Sequence, residues 1–114
     1  MPVIRVSNLP SNIMEAHLKK LRLDVIGAVV SVKELGVNNK QVTCLFPPDM
    51  RHDLDDEEIV VEVVLFDKPE RDTKVRARLA AVLGLALKRT YPNANVECLV
   101  NPFKPEQGYW SSQR

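Results

Sequence analysis

Apolar and polar residues alternate along four short segments of the chain and recur with helical spacing along two longer ones. The alternating segments predict β-strands at Pro2–Asn8, Lys40–Phe46, Ile59–Phe66 and Asn95–Val100. The helical spacing predicts one helix from about Ile13 to Leu35 and a second, capped by Asp72 or Thr73, that runs to about Thr90. The order of elements is therefore β-α-β, repeated once.

Local signals mark the ends of the two helices. Ser11 or Asn12 is suited to cap the first helix, with Glu15 placed for a capping box, and Gly36 is suited to end it. The second helix is expected to end at the YPN tripeptide 91–93, because proline removes a backbone donor and interrupts helical hydrogen bonding.

A short sequence repeat indicates that the chain contains two copies of one unit. The segments VTCLFPP, from Val42, and VECLVNP, from Val96, each end a predicted strand with a proline. A valine, a cysteine, a leucine and a proline match between them at one constant spacing, which is typical of a duplicated supersecondary unit. We therefore expect a single domain over 1–114, with the first copy at 2–48, the second at 58–102 and a tail at 103–114.

Two parallel β-α-β units side by side predict an α+β fold, in which a four-stranded sheet carries both helices on one face. The strand Ile59–Phe66 is apolar on both of its alternating sides, and such strands are normally covered on both faces. The first helix combines a core stripe with a smaller apolar group on its other side. The stripe comprises Met14, Leu18, Leu21, Val25, Val29 and Val32, and the smaller group comprises Leu23, Ile26 and Val30. Another subunit is the simplest cover for these surfaces.

Composition and charge exclude several classes of function. The 114 residues carry a formal net charge of +1, so no general attraction to nucleic acid or to membranes is expected. The N-terminus does not resemble a leader, no segment approaches about 20 consecutive apolar residues, and we expect a cytoplasmic protein. Cys44 and Cys98 are too few for a disulfide framework or a zinc site, and the acidic segment Asp49–Glu58 lacks metal-ligand spacing. We expect no metal and no cofactor.

Three features resemble the tautomerase superfamily, which includes 4-oxalocrotonate tautomerase, 5-carboxymethyl-2-hydroxymuconate isomerase and macrophage migration inhibitory factor. They are Pro2 at the head of an apolar strand, the tandem β-α-β unit and the C-terminal segment VNPFKPEQGYW. The resemblance spans nearly the whole chain and favours a bacterial branch of the superfamily. It implies a homotrimer whose three sheets line a central barrel with the helices outside. It also implies a tautomerase (an isomerase) that acts on small enol or keto carboxylic acids.

Pro2 is the candidate catalytic residue, because removal of Met1 leaves a secondary amine at its nitrogen. Burial among Val3, Ile4 and other apolar side chains is expected to disfavour the ammonium ion and lower its pKa, which makes the amine a base near neutral pH. A neutral amine beside a 2-hydroxydienoate or a β-keto acid is able to move a proton between oxygen and carbon. The alternative is that Pro2 only permits removal of Met1 and begins an edge strand.

Carboxylate substrates require a cation, and the segment DKPERDTKVRAR before the second helix supplies several. It resembles the arginine-bearing turn of the hydroxymuconate isomerase, which implies that Arg71 binds the substrate carboxylate. The alternative is a solvated basic face paired with Glu70 and Asp72. Lys40 precedes the second strand, where related enzymes carry a second cation, and it is otherwise a surface lysine.

Four further residues complete the set of candidates. The resemblance implies that Tyr109 and Trp110 wall the substrate pocket, with interface aromatic residues as the alternative. Glu97 stands where the inhibitory factor has an aromatic residue in its last strand; it is a general acid or a solvent-facing strand residue. Arg5 lies within an apolar strand and needs a partner, for which we expect an ion pair between subunits or along the barrel.

Two other interpretations of the same sequence stay open. The element order also fits a ferredoxin-like ligand-binding module, although the strands lack the aromatic pairs that stack RNA bases. A non-catalytic trimeric binding or structural protein would keep the tautomerase-like fold while its Pro2 nitrogen stayed blocked by Met1.

Overall fold

The protein folds into one mixed sheet with two helices, which a computed structural model describes for residues 2–10, 13–47 and 58–112. The strands are β1 (Val3–Ser7), β2 (Thr43–Leu45), β3 (Glu58–Phe66) and β4 (Asn95–Phe103). The α-helices are α1 (Glu15–Ser31) and α2 (Thr73–Thr90), and short 3-10 turns cover Lys33–Leu35, Asn39–Gln41 and Pro105–Gln107. No helix among these residues is both long enough and apolar enough to cross a membrane.

The strand order in the sheet is β2-β1-β3-β4. β1 pairs in parallel with β2, β3 pairs in parallel with β4, and the two units join through the antiparallel pair of β1 and β3. This confirms the tandem β-α-β architecture. The ferredoxin-like alternative is wrong, because that split arrangement inserts another strand between the two parallel strands of a unit, whereas here they are direct neighbours.

Both helices pack on one face of the sheet and bury its apolar residues. Side chains of α2 that are spaced about one helical turn apart reach the core, and each is at most 5% exposed. The buried residues of α2 are Val75, Leu79, Leu83 and Leu87, and those of the sheet are Ile4, Val6, Cys44, Ile59, Val61, Val63 and Leu65. Burial of this size is the dominant stabilising term of a small domain.

No helix of the described residues packs on the opposite face of the sheet, and we call it the open face. Its residues alternate along each strand with those of the core. They are Val3, Arg5 and Ser7 from β1, Thr43 and Leu45 from β2, Glu58, Val60, Glu62, Val64 and Phe66 from β3, and Asn95, Glu97, Leu99, Asn101 and Phe103 from β4. The apolar members from β1 and β3 are only half-buried, as the two-sided pattern of β3 led us to expect.

The first helix is shorter than its sequence predicts. It begins at Glu15, so that residue is not placed for a capping box, and the residue before it, Met14, makes no side-chain capping bond. The proposed caps Ser11 and Asn12 lie outside the described residues. At the other end Val32 adopts extended backbone, and this change of direction allows both Val32 and Leu35 to be buried.

The predicted core stripe of α1 is correct in its C-terminal part and wrong at its start. Met14 is 65% exposed because it precedes the helix, whereas Leu21, Val25, Val29 and Val32 are buried. The second apolar group needs little cover from outside. Ile26 is buried and Val30 packs on the core, which leaves Leu23 as the exposed member of that group.

Two predicted strand ends also differ from the structure. β2 begins at Thr43 rather than Lys40, because Asn38 caps a 3-10 turn over Asn39–Gln41 with a capping box. β4 continues through Pro102 to Phe103, although that proline was expected to end it. Proline is tolerated there because β4 is an edge strand, and a proline on the solvent side removes no ladder hydrogen bond.

Gly36 follows the 3-10 turn with a left-handed backbone, at φ 62° and ψ 34°. A Cβ atom there would meet no atom within 4 Å, so the cost of Gly36→Ala is backbone strain alone. We expect the free energy of unfolding, measured in urea, to fall by about 1 kcal/mol. Gly84→Ala is the matched control: its Cβ also meets nothing within 4 Å, and within α2 it should stabilise by up to about 1 kcal/mol. Equal effects of the two substitutions would contradict this.

Candidate functional site

The sequence candidates gather at one end of the sheet, where β1 and β2 begin and β3 and β4 end. The register defines this end, because Val3 pairs with both Thr43 and Val64, and Phe66 pairs with Phe103. The loops that follow α1, β3 and β4 all reach it. Sequence order alone does not bring these segments together; the antiparallel β1–β3 pair does.

Pro2 lies at this end, directly before β1, and its side chain is buried. Its carbonyl oxygen accepts a hydrogen bond of 3.0 Å from the backbone N–H of Thr43, which fixes the residue against the start of β2. The alternative interpretation supposed that Pro2 begins an edge strand. That part of it is wrong, because β1 is an inner strand of the sheet. Pro2 thus directly precedes an inner strand whose residues Ile4 and Val6 are fully buried.

Arg71 is reached through a tight turn at the end of β3. The backbone N–H of Arg71 donates to the carbonyl of Lys68 over 2.9 Å, and Pro69 occupies the second position, which its fixed φ favours. Asp72 then caps α2, since its Oδ1 accepts from the N–H of Val75 at 3.0 Å. The segment KPERD therefore combines a turn with a helix cap, and Arg71 lies between them.

The guanidinium of Arg71 is held by backbone carbonyls rather than by a carboxylate. One terminal nitrogen donates to the carbonyl of Phe66 over 2.9 Å, and the other donates to the carbonyl of Leu35 over 3.0 Å. The residue is only 3% exposed, and its Nε is a buried donor without a partner. Burial lowers the pKa of the guanidinium from its ordinary value, and the charge of Glu70 partly offsets this.

The other arginines of this segment also bind within the chain. Arg76 donates to the carbonyl of Arg71 over 2.6 Å, and Arg78 forms an ion pair with Glu34 in the 3-10 turn after α1. The hydrogen bond from Arg78 lowers the pKa of Glu34. In place of the alternative pairing with Glu70 and Asp72, Arg76 bonds within the second β-α-β unit, and Arg78 connects that unit to Glu34 of the first.

Lys40 lies in the 3-10 turn before β2, at the same end of the sheet as Pro2. Its backbone N–H donates to Oδ1 of Asn38 over 3.0 Å, and the N–H of Asn38 donates to Oε1 of Gln41 over 2.8 Å. These two bonds fix the backbone of the turn, while the side chain of Lys40 is exposed. The lysine is thus available to an incoming anion.

Tyr109 and Trp110 follow β4 at this end of the sheet and differ in their contacts. The ring of Tyr109 meets the ring of Phe66 edge to face, with centroids 4.8 Å apart and an interplanar angle of 88°. Trp110 is 84% exposed in the single chain. Phe66 was not among the sequence candidates, although its place at the last pair of β3 and β4 was a usable signal.

The remaining candidates lie away from this end. Glu97 pairs with Val60, six residues along β4 from Phe103, or about 20 Å at the rise of a strand. Within one chain it is therefore not a neighbour of Pro2. None of the sequence candidates lines the groove of about 860 Å³ between α1 and α2, where His17, which was not a candidate, lies.

The two cysteines are inert by position. Cys44 is buried in β2 and Cys98 is half-buried in β4, and both thiols are free. Burial raises the pKa of each to about 11, so both stay protonated near neutral pH and neither is suited to be a nucleophile.

Comparison with known proteins gives a likeness in structure but not in sequence. No protein-family model and no curated protein matches the sequence. A solved wild-type fused 4-OT, described as an asymmetric trimer, superposes with a TM-score of 0.77 at 14% identity, over 98% of this chain and 94% of that one. A domain of unknown function from Sebaldella termitidis gives 0.72 at 19% identity, over 98% and 96% of the two chains. The macrophage migration inhibitory factor of Toxoplasma gondii gives 0.70 at 14%, over 98% and 97%.

These neighbours share one architecture over nearly the full length of each chain. The protein therefore has the fold of the fused 4-OT and of macrophage migration inhibitory factor, as the sequence resemblance predicted. At such low identity the likeness shows the fold alone, and the assignment of chemistry depends on the residues at the Pro2 end of the sheet.

Proposed function

We propose that the protein is a homotrimeric tautomerase that acts on small enol or keto carboxylic acids, with the amine of Pro2 as its general base. The observation that carries the proposal is the buried position of Pro2 at the end of the sheet to which Arg71, Lys40 and Tyr109 also belong. Burial favours the neutral amine, which is the form that accepts a proton. The tautomerase-superfamily fold is consistent with this chemistry.

The reaction requires one group that accepts a proton and returns it. The neutral nitrogen of Pro2 takes the proton of the substrate hydroxyl, and the resulting ammonium returns that proton to carbon, so that an enol becomes a ketone. The proton count does not change, and no electron is exchanged with a cofactor. A base whose pKa is close to the working pH is the most effective in both steps.

Arg71, Lys40, Tyr109 and Trp110 are the proposed substrate-binding residues. The two carbonyl bonds of Arg71 fix its guanidinium at this end of the sheet, and the proposed role of its positive charge is to attract the substrate carboxylate. Lys40 adds an exposed positive charge to the same end of the sheet. Tyr109, held on Phe66, and the exposed Trp110 supply apolar surface for the body of the substrate.

The trimer is supported by the open face. Its half-buried valines and its two leucines, Leu45 and Leu99, which are 40% and 41% exposed, form an apolar surface that a single chain leaves in water. The fused 4-OT structure with the same fold is described as a trimer. Sedimentation velocity is expected to give a species of three 12.9 kDa chains, and a stable monomer at micromolar concentration would contradict this part of the proposal.

One observation favours a second candidate, a trimeric binding protein without catalysis. The two terminal nitrogens of Arg71 are occupied by backbone carbonyls, so a purely structural role would explain its burial. In that case Pro2 would be idle.

An activity assay separates the two candidates. Protein that begins with a free Pro2 amine is expected to convert phenylenolpyruvate and 2-hydroxymuconate faster than buffer does, as followed by ultraviolet absorbance. Methyl esters of the same compounds are the matched control, because they lack the charge that Arg71 and Lys40 are proposed to bind. Turnover no faster than buffer for both acids would leave the binding protein as the better explanation.

A further inference from the structure

One row of four residues crosses the middle of the open face. In the register of the sheet Leu45 of β2 is next to Arg5 of β1, Arg5 is opposite Glu62 of β3, and Glu62 is next to Leu99 of β4. The order across the sheet is therefore leucine, arginine, glutamate, leucine. We call these four residues the Arg5–Glu62 row.

The two charges of this row are not paired in the single chain. Residues directly opposite in an antiparallel pair have Cβ atoms about 5 Å apart, so an ion pair between Arg5 and Glu62 is within reach. Yet the ion pairs between residues that the structure describes are Lys20–Asp24 and Glu34–Arg78. Arg5 is exposed and Glu62 is half-buried, and water screens their attraction in that state.

Covering the open face changes the energetics of this row. The two leucines, each about two-fifths exposed, gain by leaving water. The same cover removes water from Arg5 and Glu62, and buried charges are tolerated when they pair with each other. An ion pair of little value in the single chain then becomes a condition for assembly.

The distribution of charge identifies the cover as further copies of this chain. Each copy brings one arginine and one glutamate to the row, so their charges cancel in an assembly of any number of copies. A partner with a surface of one sign would pair with one of the two and leave the other buried and unpaired. Glu58 and Glu97, the other carboxylates of the open face, are exposed and belong to different rows.

We propose that the Arg5–Glu62 row is the self-recognition element of the homo-oligomer, in which the buried ion pair sets which chains associate. This rests on the homotrimer of the proposed function and adds the residues that select the partner. Arg5→Glu or Glu62→Arg places two like charges in the covered row, and the exchange Arg5→Glu with Glu62→Arg restores opposite charges.

Sedimentation velocity and native mass spectrometry over a concentration series test the proposal. Each single inversion is expected to raise the concentration at which half the protein is dissociated by at least about 100-fold, because one partner of a buried pair is lost. The double exchange should return that concentration to within about tenfold of the wild type. Arg22→Glu, an exposed inversion on α1, and Glu106→Arg, after β4, are the matched controls and should assemble like the wild type.

The outcomes are distinguishable. A monomeric wild type overturns the proposed trimer, and the row with it. A trimeric wild type whose single inversions also stay trimeric, or whose double exchange stays dissociated, overturns the proposal for the row alone. If circular dichroism shows an inverted variant to be unfolded, Arg5→Gln and Glu62→Gln are tested instead. If both of these dissociate at the same concentration as the wild type, the proposal for the row is overturned.

Discussion

Protein that begins with a free Pro2 amine is expected to ketonise phenylenolpyruvate at least about 100-fold faster than the same chain with one residue left in front of Pro2. The extra residue converts the amine into an amide, which has no basic lone pair, and positioned general bases contribute rate factors of about 10² to 10⁴. Two fusion proteins, cleaved directly before Pro2 or one residue earlier, give the matched pair of proteins. The measurement is the initial rate at equal protein concentration.

Two controls show whether a lost rate reports the amine. Circular dichroism and sedimentation should be the same for both proteins, because the carbonyl of Pro2, which binds the N–H of Thr43, is present in each. Pro2→Ala keeps an amine of different basicity and rigidity, so its rate is expected to lie between the other two. Equal rates for the blocked and free forms would remove Pro2 from the mechanism.

Replacement of Arg71 by glutamine is expected to impair both substrate binding and stability. Without the guanidinium, the carbonyls of Leu35 and Phe66 lose their donors, and the free energy of unfolding in urea should fall by about 2–4 kcal/mol. The KM for the carboxylic acid should rise at least about tenfold, because charge-assisted hydrogen bonds contribute about 1.5–3 kcal/mol each. The methyl ester should be converted with an unchanged KM.

The control and the contrary outcome follow from the same contacts. Arg78→Gln removes an exposed ion pair with Glu34 and should lower the free energy of unfolding far less than Arg71→Gln does. Arg71→Lys keeps the charge but does not reach two carbonyls at once, so it should lose stability while the acid remains preferred over the ester. A variant Arg71→Gln that is destabilised but keeps the wild-type KM for the acid would show that Arg71 is structural only.

Features set by neighbouring residues were predictable for the second helix but not for the first, where Met14 precedes the helix without a side-chain capping bond. Asp72 caps α2 because capping depends on one side chain and the next three residues, and α2 ends at Thr90 where the proline follows. The duplication and the two-sided strand β3 were recognised from the pattern of apolar and polar residues, which is visible without knowledge of tertiary contacts. Both led to the correct sheet and to an open face that a single chain does not cover.

Features set by distant contacts were not predictable. The burial of Arg71 arises because the tight turn after β3 brings its guanidinium to the carbonyl of Leu35, 36 positions earlier in the chain. No local sequence pattern marks that contact, so the sequence alone predicted Arg71 to be an exposed cation. The shorter α1 has a similar cause, since the turn at Val32 satisfies the core rather than the helical spacing.

The duplication has a consequence for stoichiometry. The strand that begins the second unit, β3, is preceded by a peptide bond rather than by a chain start, and its antiparallel pairing with β1 places its first residue at the opposite end of the sheet. With Pro2 as the proposed base, the second unit has no corresponding amine. Under the proposed function the two β-α-β units would share one reaction centre per chain, and a trimer would hold three centres and three corresponding positions that lack the base.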